Sequence, residues 1–116
     1  MFAFVFLCFN KFMDFILILS TTNTSEIARL IAKTLVENKL AACVNIAPKI
    51  TSVYRWKDEI VNDEELLLII KTKRKLFEQV KSKILEIHPY DVPEVISIDI
   101  ENGSDSYLDW LNKETV

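Results

Sequence analysis

The chain has 116 residues, with 14 basic against 17 acidic side chains and a net charge of −3 at neutral pH. That length fits one domain, and the charge excludes a dedicated nucleic-acid binder, which carries a basic face, and gives no attraction to an anionic membrane. A single Gly (Gly103) excludes Gly-rich phosphate loops, a single His (His88) excludes an H-E-x-x-H zinc helix, and the two Cys (Cys8 and Cys43) exclude a four-Cys zinc site. Two cysteines also make no secreted disulfide scaffold, which points to the cytoplasm.

Residues 1–12 read MFAFVFLCFNKF, with an apolar run that ends at Asn10. The run is far short of the roughly 20 residues a spanning helix needs. No basic residue precedes it and no small-residue cleavage site follows, as a signal peptide would require. We expect residues 1–12 to be an extension upstream of a start at Met13, and residues 13–116 to form one domain.

Residues 14–20 (DFILILS) read as a short buried strand. Asn23 and Glu26 offer a capping box, and Ile27, Leu30, Ile31, Thr34 and Leu35 follow on one face of a helix over 24–38. Residues 40–56 are rich in strand formers, with Pro48 marking a bulge, a break or an edge. Lys57-Asp58-Glu59 reads as a hairpin tip, and 60–72 as the returning strand. Thr72 can cap a second helix over 73–87, which stops at His88 because Pro89 follows. HPYDVPE is a stiff connector, 94–100 alternates as a strand, Asn102-Gly103-Ser104 is a turn and cap, and Tyr107, Leu108, Trp110 and Leu111 make a short last helix.

The order β-α-β-β-α-β predicts an α+β fold of the split βαβ, ferredoxin-like kind: a four-stranded antiparallel sheet with helices on one face. The two middle strands exceed the usual length of about 5–6 residues. Helices on one face cannot cover them, so the Tyr54–Trp56 end is expected to expose aromatic surface that a second copy of the chain covers.

A few side chains can carry chemistry. The Cys43 thiolate suits a soft metal such as Cu(I), although a lone Cys is most often a small buried hydrophobe. His88 sits on a stiff connector where a metal ligand or proton carrier is well placed, or where it simply favours the helix end. Glu94 and Asp91 lie near it, able to share a cation or to hold its tautomer. Lys71, at the end of LLLII, either binds an anion or reaches out to water. Tyr54, Trp56, Tyr90 and Trp110 suit a ligand cleft or a subunit interface. Spacing alone identifies no nucleophile–base pair.

LAACVNI, VYRW with an acidic turn, LLLIIKT, HPYDVPE and YLDWL occur in the order and spacing of the CutA family, the divalent-cation tolerance proteins. The chain resembles that family over residues 14–113. The resemblance implies a ferredoxin-like fold and a cytoplasmic homotrimer whose long hairpins pack on neighbouring subunits. It also implies a response to copper or another divalent cation. By position it implies a metal set of Cys43, His88 and Glu94, and a cleft between subunits containing Lys71, Tyr54, Trp56 and Tyr90. The tip Lys57-Asp58-Glu59 departs from the Gly common in the family. Three functions compete. The first is a metal-binding protein; the second is a PII-like trimeric signalling module that holds a small anionic ligand with Lys71. The third and weakest is an enzyme using His88 and Glu94 as acid and base.

Overall fold

The computed structural model describes residues 15–116. The reading of residues 1–12 as an upstream extension, and of Met13 as the start, lies outside the described residues.

The elements are β1 (Phe15–Thr22), α1 (Ser25–Glu37), β2 (Cys43–Trp56), β3 (Glu59–Lys73), a 3-10 turn (Arg74–Leu76), α2 (Phe77–Ile87), β4 (Ile96–Asp99) and α3 (Asp105–Lys113). The sheet is four-stranded in the order β2-β3-β1-β4, with every pairing antiparallel. This is the expected split βαβ arrangement. Strand alternation sends Ile16, Ile18, Leu68 and Ile70 to the face covered by α1 and α2. They form the core there with Ala28, Ile31, Leu35, Val80 and Ile84. The opposite face is only partly covered. Phe15 points that way, and α3 covers that end by burying Leu108 and Leu111 against Phe15 and Ala42. The expectation of helices on one face thus holds for α1 and α2, while α3 closes one end of the other. Gly103 lies against this cluster, where an added Cβ would meet Leu108 at 3.1 Å.

Several local expectations are corrected. The cap of α1 is Thr24, whose hydroxyl accepts from the Ile27 amide at 3.2 Å, so Asn23 is not the cap and Glu26 closes no capping box with it. Strand β1 runs on through Thr21 and Thr22, which reading by composition gave to the helix start. Thr72 caps no helix. It is buried in β3, and its hydroxyl donates to the Leu40 carbonyl at 2.6 Å. The chain then makes a 3-10 turn before α2, and Leu76 at the α2 N-cap supplies no side-chain cap. Strand β4 spans only Ile96–Asp99, and Ser104 precedes α3 without a side-chain cap bond.

The β2–β3 register shifts by one residue between Ala47 and Ile50. The extra residue lies in β2, at Pro48-Lys49, as the missing proline N–H allows. Cys43 pairs with Lys71 before this bulge, and Ser52 with Asp63 and Tyr54 with Val61 after it. The bulge therefore keeps Cys43 and Tyr54 on the same face of the sheet, although strict alternation over their spacing would separate them. The hairpin tip is a two-residue loop, Lys57-Asp58, because Glu59 already pairs with Trp56.

With almost no glycine to draw on, the chain puts other residues in left-handed backbone: Lys39 (φ 58°), Lys49 (φ 58°), Lys57 (φ 50°) and Asp58 (φ 67°). Two positive φ values in succession make the primed turn that matches strand twist. Lys39 ends α1 in a Schellman motif, with Leu40 N–H on the Leu35 carbonyl at 2.9 Å and Lys39 N–H on the Val36 carbonyl at 3.1 Å. A Cβ in this conformation costs about 1–2 kcal/mol. Lys39→Gly and Asp58→Gly should each raise stability by about 1 kcal/mol after glycine's extra unfolded freedom is deducted. Thermal melts at fixed protein concentration check this; a lowered midpoint in both variants would contradict it.

Candidate functional site

A cleft of about 800 Å³ opens between the outer half of the β2–β3 hairpin and the connector that leads from α2 to β4. The hairpin supplies Ser52, Val53, Tyr54 and Trp56 from β2, and Asp63, Glu64 and Glu65 from β3. The connector supplies Pro89, Tyr90, Asp91, Val92 and Glu94, and the end of β1 supplies Thr21 with Asn23 beyond it. Five carboxylates line this cleft, and no Lys, Arg or His is among its lining residues. The hairpin end stands out from the domain, with Tyr54 40% and Trp56 41% exposed.

Two of the carboxylates are held by phenols. The Tyr54 hydroxyl donates to Asp63, and the Tyr90 hydroxyl donates to Glu65 at 2.7 Å. Glu65 is buried, at 5% exposure, so the Tyr90 bond satisfies a carboxylate that would otherwise be costly there. Burial, then the Glu65 bond and charge, push the Tyr90 phenol well above its ordinary range. The bond to Asp63 raises Tyr54 first of all, and burial first raises Tyr107. Folded phenols that hold their protons more tightly than unfolded ones contribute stability in full below the unfolded value of about 10. That contribution falls as pH rises past it. Denaturant melts from pH 8 to 11 should therefore lose stability above about pH 10, with a shallower loss in Tyr90→Phe.

Of the residues singled out by sequence, Tyr54, Trp56, Tyr90, Asp91 and Glu94 come together in this cleft. Lys71 and Cys43 do not line it. They face each other across the β2–β3 pair, where the Lys71 ammonium donates to the Asn45 side-chain oxygen and Cys43 Sγ lies 4.0 Å from that same atom. His88 is buried behind the cleft. Its Nε2 donates to the Thr21 carbonyl at 2.7 Å, and its Nδ1 accepts from the Tyr90 amide at 3.2 Å. Both ring nitrogens are thus occupied, which leaves no lone pair for a metal and no proton acceptor for an acid–base pair with Glu94. Among the described residues, no three His, Cys, Asp or Glu side chains come together as a metal-holding group. Cys43, His88 and Glu94 therefore make no ligand set within one chain. Trp110, the remaining aromatic candidate, is 41% exposed on α3 against Tyr107.

Sequence reasoning passed over Asp63, Glu64 and Glu65. A signal was there: three consecutive acids (DEE) inside a strand, where Asp and Glu are disfavoured.

The fold and cleft define an α+β protein of the ferredoxin-like kind with an acidic, aromatic-walled cleft against the outer half of a long hairpin. Residues 16–114 match the family model described as CutA1 divalent ion tolerance protein. The chain belongs to this family. It is 50% identical over 98 residues to the divalent-cation tolerance protein CutA of Thermus thermophilus, covering 84% of this chain and 95% of that one. It is 44% identical over 106 residues to the chloroplastic CutA of Arabidopsis thaliana, covering 91% of this chain and 58% of that one. The solved CutA1 structure from Oryza sativa superposes with a TM-score of 0.87 at 40% identity, over 91% of this chain and 97% of that one. The chain thus spans nearly all of the bacterial relative and just over half of the plant one.

Proposed function

We propose that this chain is a divalent-cation tolerance protein that acts by binding, not catalysis, as a homotrimer that takes its cation in the acidic cleft. The observation that carries this reading is the cleft lining: carboxylates from both walls and no basic side chain. Phenol and carboxylate oxygens suit a divalent cation, in keeping with a family of divalent ion tolerance proteins. Glu64 and Glu94, which lie outside the Tyr54–Asp63 and Tyr90–Glu65 pairs, would hold the ion from opposite walls, with water completing its shell. Copper is one candidate. The soft Cys43 thiol that would favour Cu(I) lies elsewhere on the sheet, so the oxygen donors favour a harder ion.

The homotrimer is supported by the open sheet face. Leu17 and Leu19 pair with Ile98 and Ile96 on it, and those isoleucines are 50% and 52% exposed. Apolar surface of that kind, on a sheet whose opposite edge is the long free strand β2, calls for a covering chain. A small anionic ligand, as in the PII-like reading, has less support: Lys71 is engaged by Asn45, and the cleft repels anions. Among the described residues no helix is long and apolar enough to cross a membrane. The cytoplasmic location belongs to the same reading and rests on cysteine usage; the Arabidopsis relative is named as chloroplastic.

The test is calorimetric titration of Cu²⁺ and of Mn²⁺ into the metal-free protein, with mass measured in solution. Saturable binding near one ion per chain in a trimer supports the reading. One ion per three chains would move the site to the trimer axis, and no binding of either ion would sink the cation reading.

A further inference from the structure

The chain's one glycine, Gly103, follows an asparagine. Asn102-Gly103-Ser104 reads as a turn and cap, yet Ser104 makes no side-chain cap bond to α3, so capping does not account for the motif. Residues 101–104 lie between β4 and α3 outside any regular element, and all are exposed. The segment is held at its ends. The Ile100 amide donates to the Phe15 carbonyl at 3.0 Å, and the Ser104 carbonyl accepts from the Leu108 amide at 3.0 Å. Among the described residues, no hydrogen bond engages the Asn102 side chain or the Gly103 N–H.

An asparagine in that setting can react with its own backbone, and Asn is among the thermolabile side chains. The Gly103 nitrogen attacks the Asn102 side-chain carbonyl carbon, Cγ, and gives up its proton. A new C–N bond forms, the bond to the side-chain nitrogen breaks, and ammonia leaves with that proton, which closes a succinimide ring. Water then adds at either ring carbonyl and reopens it. Opening at one gives aspartate; opening at the other gives isoaspartate, whose main chain runs through the side-chain carbon. Ammonia leaves and water enters, so nothing is oxidised or reduced. Glycine suits the attack because no Cβ crowds the nitrogen. Every other Asn in the chain is followed by a residue that carries a Cβ, and Asn45, Asn62 and Asn112 are further tied into strands or a helix.

We propose that Asn102 is a self-modification site, converted through Gly103 to aspartyl and isoaspartyl forms, and that the isoaspartyl form loosens α3. Gly103 lies so close to α3 that an added Cβ would meet Leu108 at 3.1 Å. Leu108 and Leu111 are the residues that bury α3 against Phe15 and Ala42. An isoaspartyl link adds a methylene to the main chain just before this contact, so Gly103 and Leu108 cannot both keep their places. The aspartyl form keeps the main-chain path and adds only a charge at an exposed position. The acidic cleft takes Thr21 from the far end of β1, whereas α3 packs at the Phe15 end. The modification therefore acts on the last helix and not on the cleft, and it stands independently of the cation reading.

The experiment ages the full chain at pH 9 beside a sample kept at pH 5, since base promotes loss of the Gly103 amide proton. Peptide mass mapping locates the mass gain of amide-to-acid exchange, and methyl transfer by an isoaspartyl methyltransferase counts isoaspartate. At pH 9 the peptide holding Asn102 should gain the acid ahead of every other asparagine peptide, in both isomers. Asn102→Gln should slow that gain about tenfold or more, because its longer side chain moves the carbonyl carbon out of attack geometry. No acid at Asn102, or acid there no sooner than at the other asparagines, overturns the site. The isoaspartyl fraction, separated by chromatography, is then compared with freshly made Asn102→Asp, which carries the same charge on an ordinary backbone. It should melt lower than that variant, and its Leu108 amide should exchange about tenfold faster, as expected for loss of one hydrogen bond. Equal melts with equal Leu108 exchange would overturn the loosening of α3. So would an aged Asn102→Gln chain that loses stability as the wild type does, since the damage would then lie elsewhere.

Discussion

Leu68→Ala should cost about 3 kcal/mol of stability, the middle of the range for emptying a fully buried leucine site. Leu68 is 0% exposed at the centre of the sheet, paired with Ser20 of β1 on one side and Ile46 of β2 on the other. It belongs to the cluster that receives Ile31 and Leu35 from α1 and Val80 and Ile84 from α2. Neighbours on two strands and two helices cannot all move inward, so the cavity stays partly open and the loss goes beyond the transfer term. A domain of this size has about 5–15 kcal/mol in total, so the change removes a large share. Urea melts at one protein concentration measure it. A loss below about 1 kcal/mol would mean that the site collapses and that the core is less tightly packed than this arrangement requires.

The second large effect concerns the cleft. Glu64→Gln with Glu94→Gln should weaken divalent-cation binding by about tenfold to a hundredfold, with little change in fold. Each substitution removes one negative charge from a different wall and keeps the side-chain shape. At a few ångströms such a charge contributes about 1–4 kcal/mol, depending on how well water screens it. Both side chains line the cleft outside the Tyr54–Asp63 and Tyr90–Glu65 pairs, so the hydrogen bonds that shape the walls survive. Calorimetric titration reads the loss, and circular dichroism checks the fold. Unchanged affinity would remove this cleft as the cation site and direct attention to the Cys43 and Lys71 face.

The element order was legible because each signal is local. Ile27, Leu30, Ile31, Thr34 and Leu35 mark α1 by period, Pro89 stops α2, and the missing N–H of Pro48 marks the bulge. Tertiary partners decided the places where local reading failed. Thr72 has the chemistry of a cap, but its hydroxyl is claimed by the Leu40 carbonyl, 32 residues away in sequence. The candidate site divided on the same principle. The connector carboxylates Asp91 and Glu94 were grouped with His88 by proximity in sequence; the cleft holds the two carboxylates, while His88 lies buried behind it. Cys43 begins β2 and His88 follows α2, and that they stay apart depends on the tertiary path between them, which no spacing encodes. The state of His88 was equally out of reach, since both ring nitrogens are set by backbone groups, one of them on a distant strand.

The bulge at Pro48-Lys49 sets a parity rule for the history of this gene. Upstream of Tyr54, insertion or loss of a single β2 residue would turn Tyr54 and Trp56 to the opposite face, away from Asp63, while changes by two would leave the facing intact. Further out, the hairpin can lengthen or shorten by matched steps on both strands with the cleft untouched. Reading frames related to this one should therefore vary freely in hairpin length at the tip and in even steps below it. A relative with an odd step must either carry a second, compensating bulge or have given up the aromatic wall.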